Sequence, residues 1–139
     1  MFGTKRIKII VFTALLVLFV ILCVCLYMYA LRILPKDGGT YSIDDYARQI
    51  EIGYKNDQQY PKIANRWDAY KIAQEIIVTC FPESELTSFD TYFERTVYFD
   101  PQSDTWFIYV APYDIYVHGD EYGCILNSNG TLISCWRWG

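Results

Sequence analysis

The chain has 139 residues, of which 53% are hydrophobic, 18% aromatic and 20% charged, and its formal net charge is −4 at pH 7. That balance excludes nucleic acid as a partner, because phosphate binding needs a basic face. The length allows one compact domain beside any membrane segment, and is too short for two.

The first predicted element is a run of 23 uncharged residues, Ile9–Leu31, set between Lys5, Arg6, Lys8 and Arg32. At about 1.5 Å rise per residue, a helix this long crosses the ~30 Å hydrocarbon core. A cleaved signal peptide has a shorter apolar core and small residues before the cut, whereas this run exits through Tyr27-Met28-Tyr29-Ala30-Leu31-Arg32. A lipoprotein signal needs small residues before its cysteine, but Leu22 precedes Cys23 and Val24 precedes Cys25. A helix apolar on every face does not fit the core of so small a soluble domain.

The segment therefore predicts an uncleaved single-pass anchor. Residues 1–8 form a cytoplasmic tail, 9–31 the transmembrane helix, 32–40 a linker and 41–139 an extracytoplasmic domain. Orientation rests on the basic residues crowded into the tail, which favour the cytoplasmic side. Tyr27 and Tyr29 suit the outer interface, and Cys23 and Cys25 read as small apolar fillers. Residues 33–139 hold all sixteen acidic residues against eight Lys and Arg, 8 − 16 = −8. This acidity serves solubility beside a membrane, or a face for a basic protein partner.

Pro35, Gly38 and Gly39 mark Leu34–Thr40 as linker. Ser42 is placed to cap a helix, with Ile43, Tyr46, Ala47 and Ile50 on one face and Gly53 as its C-cap. Residues 54–61 are polar and read as loop. Asn65 then caps the strongest helix, whose apolar stripe is Ala69, Tyr70, Ala73, Ile76, Ile77 and Cys80. Pro82 ends it.

From Thr91 to Phe99 the period changes to two, with Phe93, Val97 and Phe99 opposite Tyr92, Glu94, Thr96 and Tyr98. Asp100–Asp104 is a turn. Thr105–Ala111 is apolar almost throughout, as a central strand is. Tyr113–Asp120 reads as loop or short edge strand. Glu121–Leu126 and Thr131–Trp136 form a hairpin across Asn127-Ser128-Asn129-Gly130, since Asn-Gly is a strong turn signal. The fold class is α+β: a transmembrane helix, then one or two helices packed on a curved antiparallel sheet of three to four strands, with the Asn65-capped helix covering its one buried face.

A two-residue turn at Asn129-Gly130 sets Cys124 opposite Cys135 as a hydrogen-bonded pair, within disulfide range. Two outcomes stay open: a bridge, expected outside the cell, or two reduced core thiols. Cys80 remains unpaired in either.

Catalytic signatures are lacking, and the chain reads as a non-enzyme without cofactor. Asp114, His118, Asp120 and Glu121 form the one cluster mixing histidine and carboxylates, and a single histidine makes a solvated acidic loop the simpler reading than a metal site. No phosphate-binding glycine loop or dinucleotide fingerprint is present. Trp106, Trp136 and Trp138 can line a pocket or binding face, although aromatics at strand period commonly serve cross-strand packing.

Three pieces carry a family likeness: the helix with Ala69-Tyr70-Lys71-Ile72-Ala73, the strand Trp106-Phe107-Ile108-Tyr109-Val110, and the hairpin Asn127-Ser128-Asn129-Gly130-Thr131-Leu132-Ile133. Over residues 65–136 the chain resembles the small bacterial immunity proteins of the nuclear transport factor 2-like (cystatin-like) superfamily. It departs from them in lacking a glycine pair before the penultimate strand and in carrying an anchor. The resemblance implies a helix on a curved sheet and a role in neutralising a toxin. The expected function is thus a membrane-anchored binding domain whose partners are the bilayer and a basic protein such as a toxin. Two other classes stay open: a ligand-binding or enzymatic domain with a pocket in the sheet, and a structural accessory of an envelope complex.

Overall fold

A computed structural model describes residues 2–84, 93–112 and 121–138. The chain divides into two units, residues 1–32 and 33–139. The first is a helix, α1 (Phe2–Ile33), within which Gly3–Leu31 is long and apolar enough to cross a membrane. Its large apolar side chains from Ile7 to Leu31 are exposed all round. That is the pattern of a helix solvated by lipid rather than one packed in a core, and it fits a single-pass membrane protein.

The second unit is α+β. Its elements are β1 (Lys36–Thr40), a 3-10 turn (Ile43–Tyr46) running into α2 (Ala47–Ile52), α3 (Arg66–Cys80), a 3-10 turn (Pro82–Ser84), β2 (Phe93–Asp100), β3 (Thr105–Pro112), β4 (Glu121–Asn127) and β5 (Leu132–Trp138). The strands form one sheet in the order β1-β2-β3-β4-β5. Strand β1 runs parallel to β2 and the other pairs are antiparallel. The sheet is therefore mixed and has five strands, not the expected three to four.

The extra strand is the segment read as linker. Gly38 lies so close to the Tyr98 ring that a Cβ would overlap it, and Gly39 adopts φ +84° beside a break in the ladder. The same glycines that signal a loose connector in sequence here permit close approach and a bulge.

Helix α3 forms where expected. The Asn65 side chain accepts the Asp68 N–H at 2.9 Å, and Asp68 in turn accepts the Ala64 N–H at 3.3 Å. Ala69, Tyr70, Ala73, Ile76 and Ile77 pack on Val97, Ile108, Val110, Tyr122, Cys124, Leu126, Leu132 and Cys135. These residues alternate along β2 to β5, so they share one face of the sheet.

The opposite face is covered as well, which corrects the one-sided expectation. Tyr41, Ile43, Tyr46 and Ile50 pack on Phe107, Ile125 and Trp136. Ser42 stands at the head of this strap but its side chain makes no capping bond. The Ile43 N–H instead reaches the Asp100 carboxylate at 3.3 Å. Gly53 ends α2 with its N–H on the Gln49 carbonyl at 2.8 Å.

The β4–β5 hairpin departs from the expected turn in two ways. Gly130 N–H bonds the Asn127 carbonyl and Asn127 N–H bonds the Thr131 carbonyl, both at 2.9 Å. The loop is therefore three residues, Ser128-Asn129-Gly130, with Gly130 at φ +90°. Leu126 pairs with Leu132, yet Ile125 pairs with Ser134, so Ile133 is an extra residue in β5. The longer loop and the bulge shift register in opposite senses, and Cys124 still meets Cys135.

Candidate functional site

The second tryptophan-rich face is built by β3, β4 and β5. Gly123 on β4 leaves room for the Trp136 indole, whose ring carbons would lie 2.5 Å from a Cβ there. Trp136 stacks on Phe107 with centroids 5.8 Å apart and meets Trp138 edge-on at 5.3 Å. Tyr109 in turn meets Trp138 edge-on at 5.8 Å. The strap covers the Phe107 end of this array, whereas Tyr98, Tyr109 and Trp138 remain half-buried.

Carboxylates frame the open end. Glu121 is the direct cross-strand partner of Trp138. Burial, followed by the Glu121 carboxylate beside its hydroxyl, pushes Tyr109 up to about 12. Glu94 adds to this negative field and is held by Lys36 at 2.8 Å. Electron-rich ring faces beside carboxylates attract cations, so this surface suits an ammonium or guanidinium group. The Trp136 indole N–H is buried with no acceptor among the described residues.

The sequence-predicted site residues divide between two faces. Trp136, Trp138 and Glu121 come together. Trp106 lies on the α3 face, where its Nε1–H donates to Ser128 Oγ at 3.0 Å and Ser128 donates on to Asp104 at 2.7 Å. It borders an open groove with Asp37, Asn65, Arg66, Val97 and Phe99. Asp114, His118 and Asp120 lie outside the described residues, as does the whole Tyr113–Asp120 segment. Among the described residues, no group of three or more His, Cys, Asp or Glu is placed to hold a metal ion.

The domain thiols converge. Cys124 and Cys135 are fully buried, directly opposed and free. The Cys135 thiol neighbours those of both Cys124 and Cys80. Cys135 also exchanges both backbone bonds with Tyr54, at 2.7 and 2.9 Å, on the outer side of β5. Its N–H and C=O thus point away from β4. The Cys124–Cys135 pair is non-hydrogen-bonded, the reverse of what a two-residue turn gives, and such pairs have alpha carbons ~4.5 Å apart.

Sequence reasoning missed Arg95. It reads as one polar residue in an alternating strand, yet its side chain is only 1% exposed. Its Nε donates to the Tyr70 hydroxyl at 2.6 Å, its Nη1 to the Phe93 carbonyl at 3.1 Å, and its guanidinium lies 5.3 Å from the Tyr70 ring centre. The inward alternation of β2, which puts Arg95 on the side of Phe93 and Val97, was the available signal.

The chain matches no protein-family model, no curated protein and no solved structure.

Proposed function

We propose that this chain is a membrane-anchored binding domain that receives a basic protein partner on the Tyr109–Trp138–Glu121 surface. The observation that carries the reading is the set of half-buried aromatic rings flanked by Glu121 and Glu94, at the end of the sheet face the strap leaves open. The excess of sixteen acidic over eight basic residues in 33–139 supports the sign of the partner. A helix packed on a sheet is what a nuclear transport factor 2-like, cystatin-like relationship expects, and that resemblance implies an immunity-type role in which the partner is a toxin. In this reading the N-terminus is cytoplasmic and the domain lies outside, as the basic tail favours.

The test pairs this chain with the product of the gene directly upstream of its own. The immunity reading expects that product to inhibit growth, and co-expression of this chain to relieve it. Glu121→Lys and Trp138→Ala should each weaken the purified complex about tenfold or more, as truncation of a central aromatic or charge reversal does. Binding that ignores both substitutions overturns the site, and an upstream product that neither binds nor inhibits overturns the toxin reading. Protease added to intact cells should cleave the domain; protection would reverse the orientation.

A ligand-binding domain is the second reading. The buried Trp136 indole N–H, which has no acceptor among the described residues, favours it, because a buried donor without an acceptor is costly and a ligand oxygen would satisfy it.

A further inference from the structure

The three cysteines outside α1 are far apart in sequence and are brought into a row in the domain, with Cys135 between the other two thiols. Cys80 is the last residue of α3, Cys124 lies on β4 and Cys135 on β5. Cys135 is the cross-strand partner of Cys124, and Cys80 packs against the core cluster that holds both. Their accessibility is graded: Cys80 is half-buried, whereas Cys124 and Cys135 are sealed in the core. The Cys124–Cys135 pair occupies a non-hydrogen-bonded site, where alpha carbons ~4.5 Å apart fall inside the span a disulfide needs. An oxidant can therefore reach only the outer sulfur, while the best-placed bond lies between the inner two.

We propose that Cys80, Cys135 and Cys124 form a thiol relay, in which a small disulfide such as oxidised glutathione enters at Cys80 and the bond is passed through Cys135 to end as a Cys124–Cys135 cross-strand disulfide. In the first step the Cys80 thiolate attacks oxidised glutathione. A Cys80–glutathione bond forms and one glutathione thiol leaves. Cys135 then attacks Cys80 Sγ and expels the second glutathione thiol. Finally Cys124 attacks Cys135 Sγ, and Cys80 departs as a thiol carrying the proton that Cys124 gave up. The net change is a two-electron oxidation of Cys124 and Cys135, reduction of one glutathione disulfide to two thiols, and recovery of Cys80. Burial pushes the Cys80 thiol up to about 12. Entry is therefore slow at neutral pH and accelerates about tenfold per pH unit, since the thiolate is the nucleophile.

The relay is a property of the folded chain. Only its operation in cells rests on the outward orientation proposed above. The test uses the full-length chain purified in detergent, treated with oxidised glutathione, quenched with acid and alkylated, and mapped by peptide mass spectrometry so that Cys23 and Cys25 are read separately. The wild type should pass through Cys80–glutathione and Cys80–Cys135 before Cys124–Cys135 accumulates with Cys80 free. Cys124→Ser should stop at Cys80–Cys135, and Cys80→Ser should slow oxidation of the inner pair by about tenfold or more. The wild-type time course needs no variant to fold. Appearance of Cys124–Cys135 with no preceding Cys80 disulfide overturns the relay, as does oxidation of Cys80→Ser at the wild-type rate. A chain that completes the relay in vitro but is fully reduced in growing cells overturns the outward orientation and leaves the relay standing.

Discussion

Two buried polar side chains set testable limits on this domain at the level of single residues. Arg95 brings a guanidinium into the core, a placement that is costly unless the group is hydrogen-bonded. The Tyr70 hydroxyl supplies one such bond at 2.6 Å, to a charged donor. Tyr70→Phe keeps the ring under the guanidinium and removes only that acceptor, so it should cost about 2 kcal/mol in urea unfolding. A loss near zero would mean that Arg95 does not depend on Tyr70. Asp100 works through pH. Its carboxylate accepts from the Ser103 hydroxyl at 2.7 Å, the Gln102 N–H at 2.9 Å and the Ile43 N–H at 3.3 Å. These bonds, Ser103 first, hold it below its ordinary value of 3.8. A depressed carboxylate stabilises the fold fully above that ordinary, unfolded-chain value and loses the contribution as pH falls through the lower folded one. Acid unfolding of Asp100→Asn should therefore depend less steeply on pH in that window than acid unfolding of the wild type. Equal slopes would show that Asp100 is not a source of the acid sensitivity.

Among elements, α3 is the one most fully legible in sequence, because capping, periodicity and termination agree there. The Asn65 cap bond predicts that Asn65→Ala costs about 1 kcal/mol, measurable as a lowered denaturation midpoint with an unchanged slope. Central β3 was legible for the same reason, since an apolar run needs cover on both faces. Strand β1 was not. Its five residues, Lys-Asp-Gly-Gly-Thr, carry no apolar period, and what makes them a strand is pairing with Lys36↔Thr96 through Thr40↔Phe99, sixty residues away. Local sequence holds no trace of such a partner. The strap was half legible: its apolar face was visible, but its start as a 3-10 turn and its docking on Phe107 and Trp136 depend on the far strand. The same distinction holds for the site. Trp136, Trp138 and Glu121 share a face because they sit on one hairpin whose alternation can be counted, and Trp106 falls on the other face by the parity of β3. Tyr109 and Glu94, which complete the surface, come from strands whose register with that hairpin only the folded sheet fixes.

The whole chain joins a helix long and apolar enough to cross a membrane to a sheet covered on both faces. Its α1 predicts that the full chain sediments with membranes and stays there through alkaline carbonate, while Leu18→Lys weakens insertion by about 3 kcal/mol and increases the extractable fraction. Release of the wild type by carbonate would exclude a spanning helix. Within the domain, each face of the sheet has its own content. Thiols and aliphatic side chains meet α3, and stacked rings meet the strap. The β4–β5 hairpin assigns these contents by counting. Its three-residue loop advances the register by one and the surplus Ile133 sets it back. Loop and strand differ as sites for mutation. A residue removed from Ser128-Asn129-Gly130 shortens the connection and leaves Asn127 and Thr131 to close the same ladder. A residue inserted between Ser134 and Cys135 would turn Cys135 toward the strap and Trp136 toward α3, because side chains along a strand repeat every two residues. In genetic terms the loop tolerates a change of length, whereas β5 behind it behaves as a reading frame.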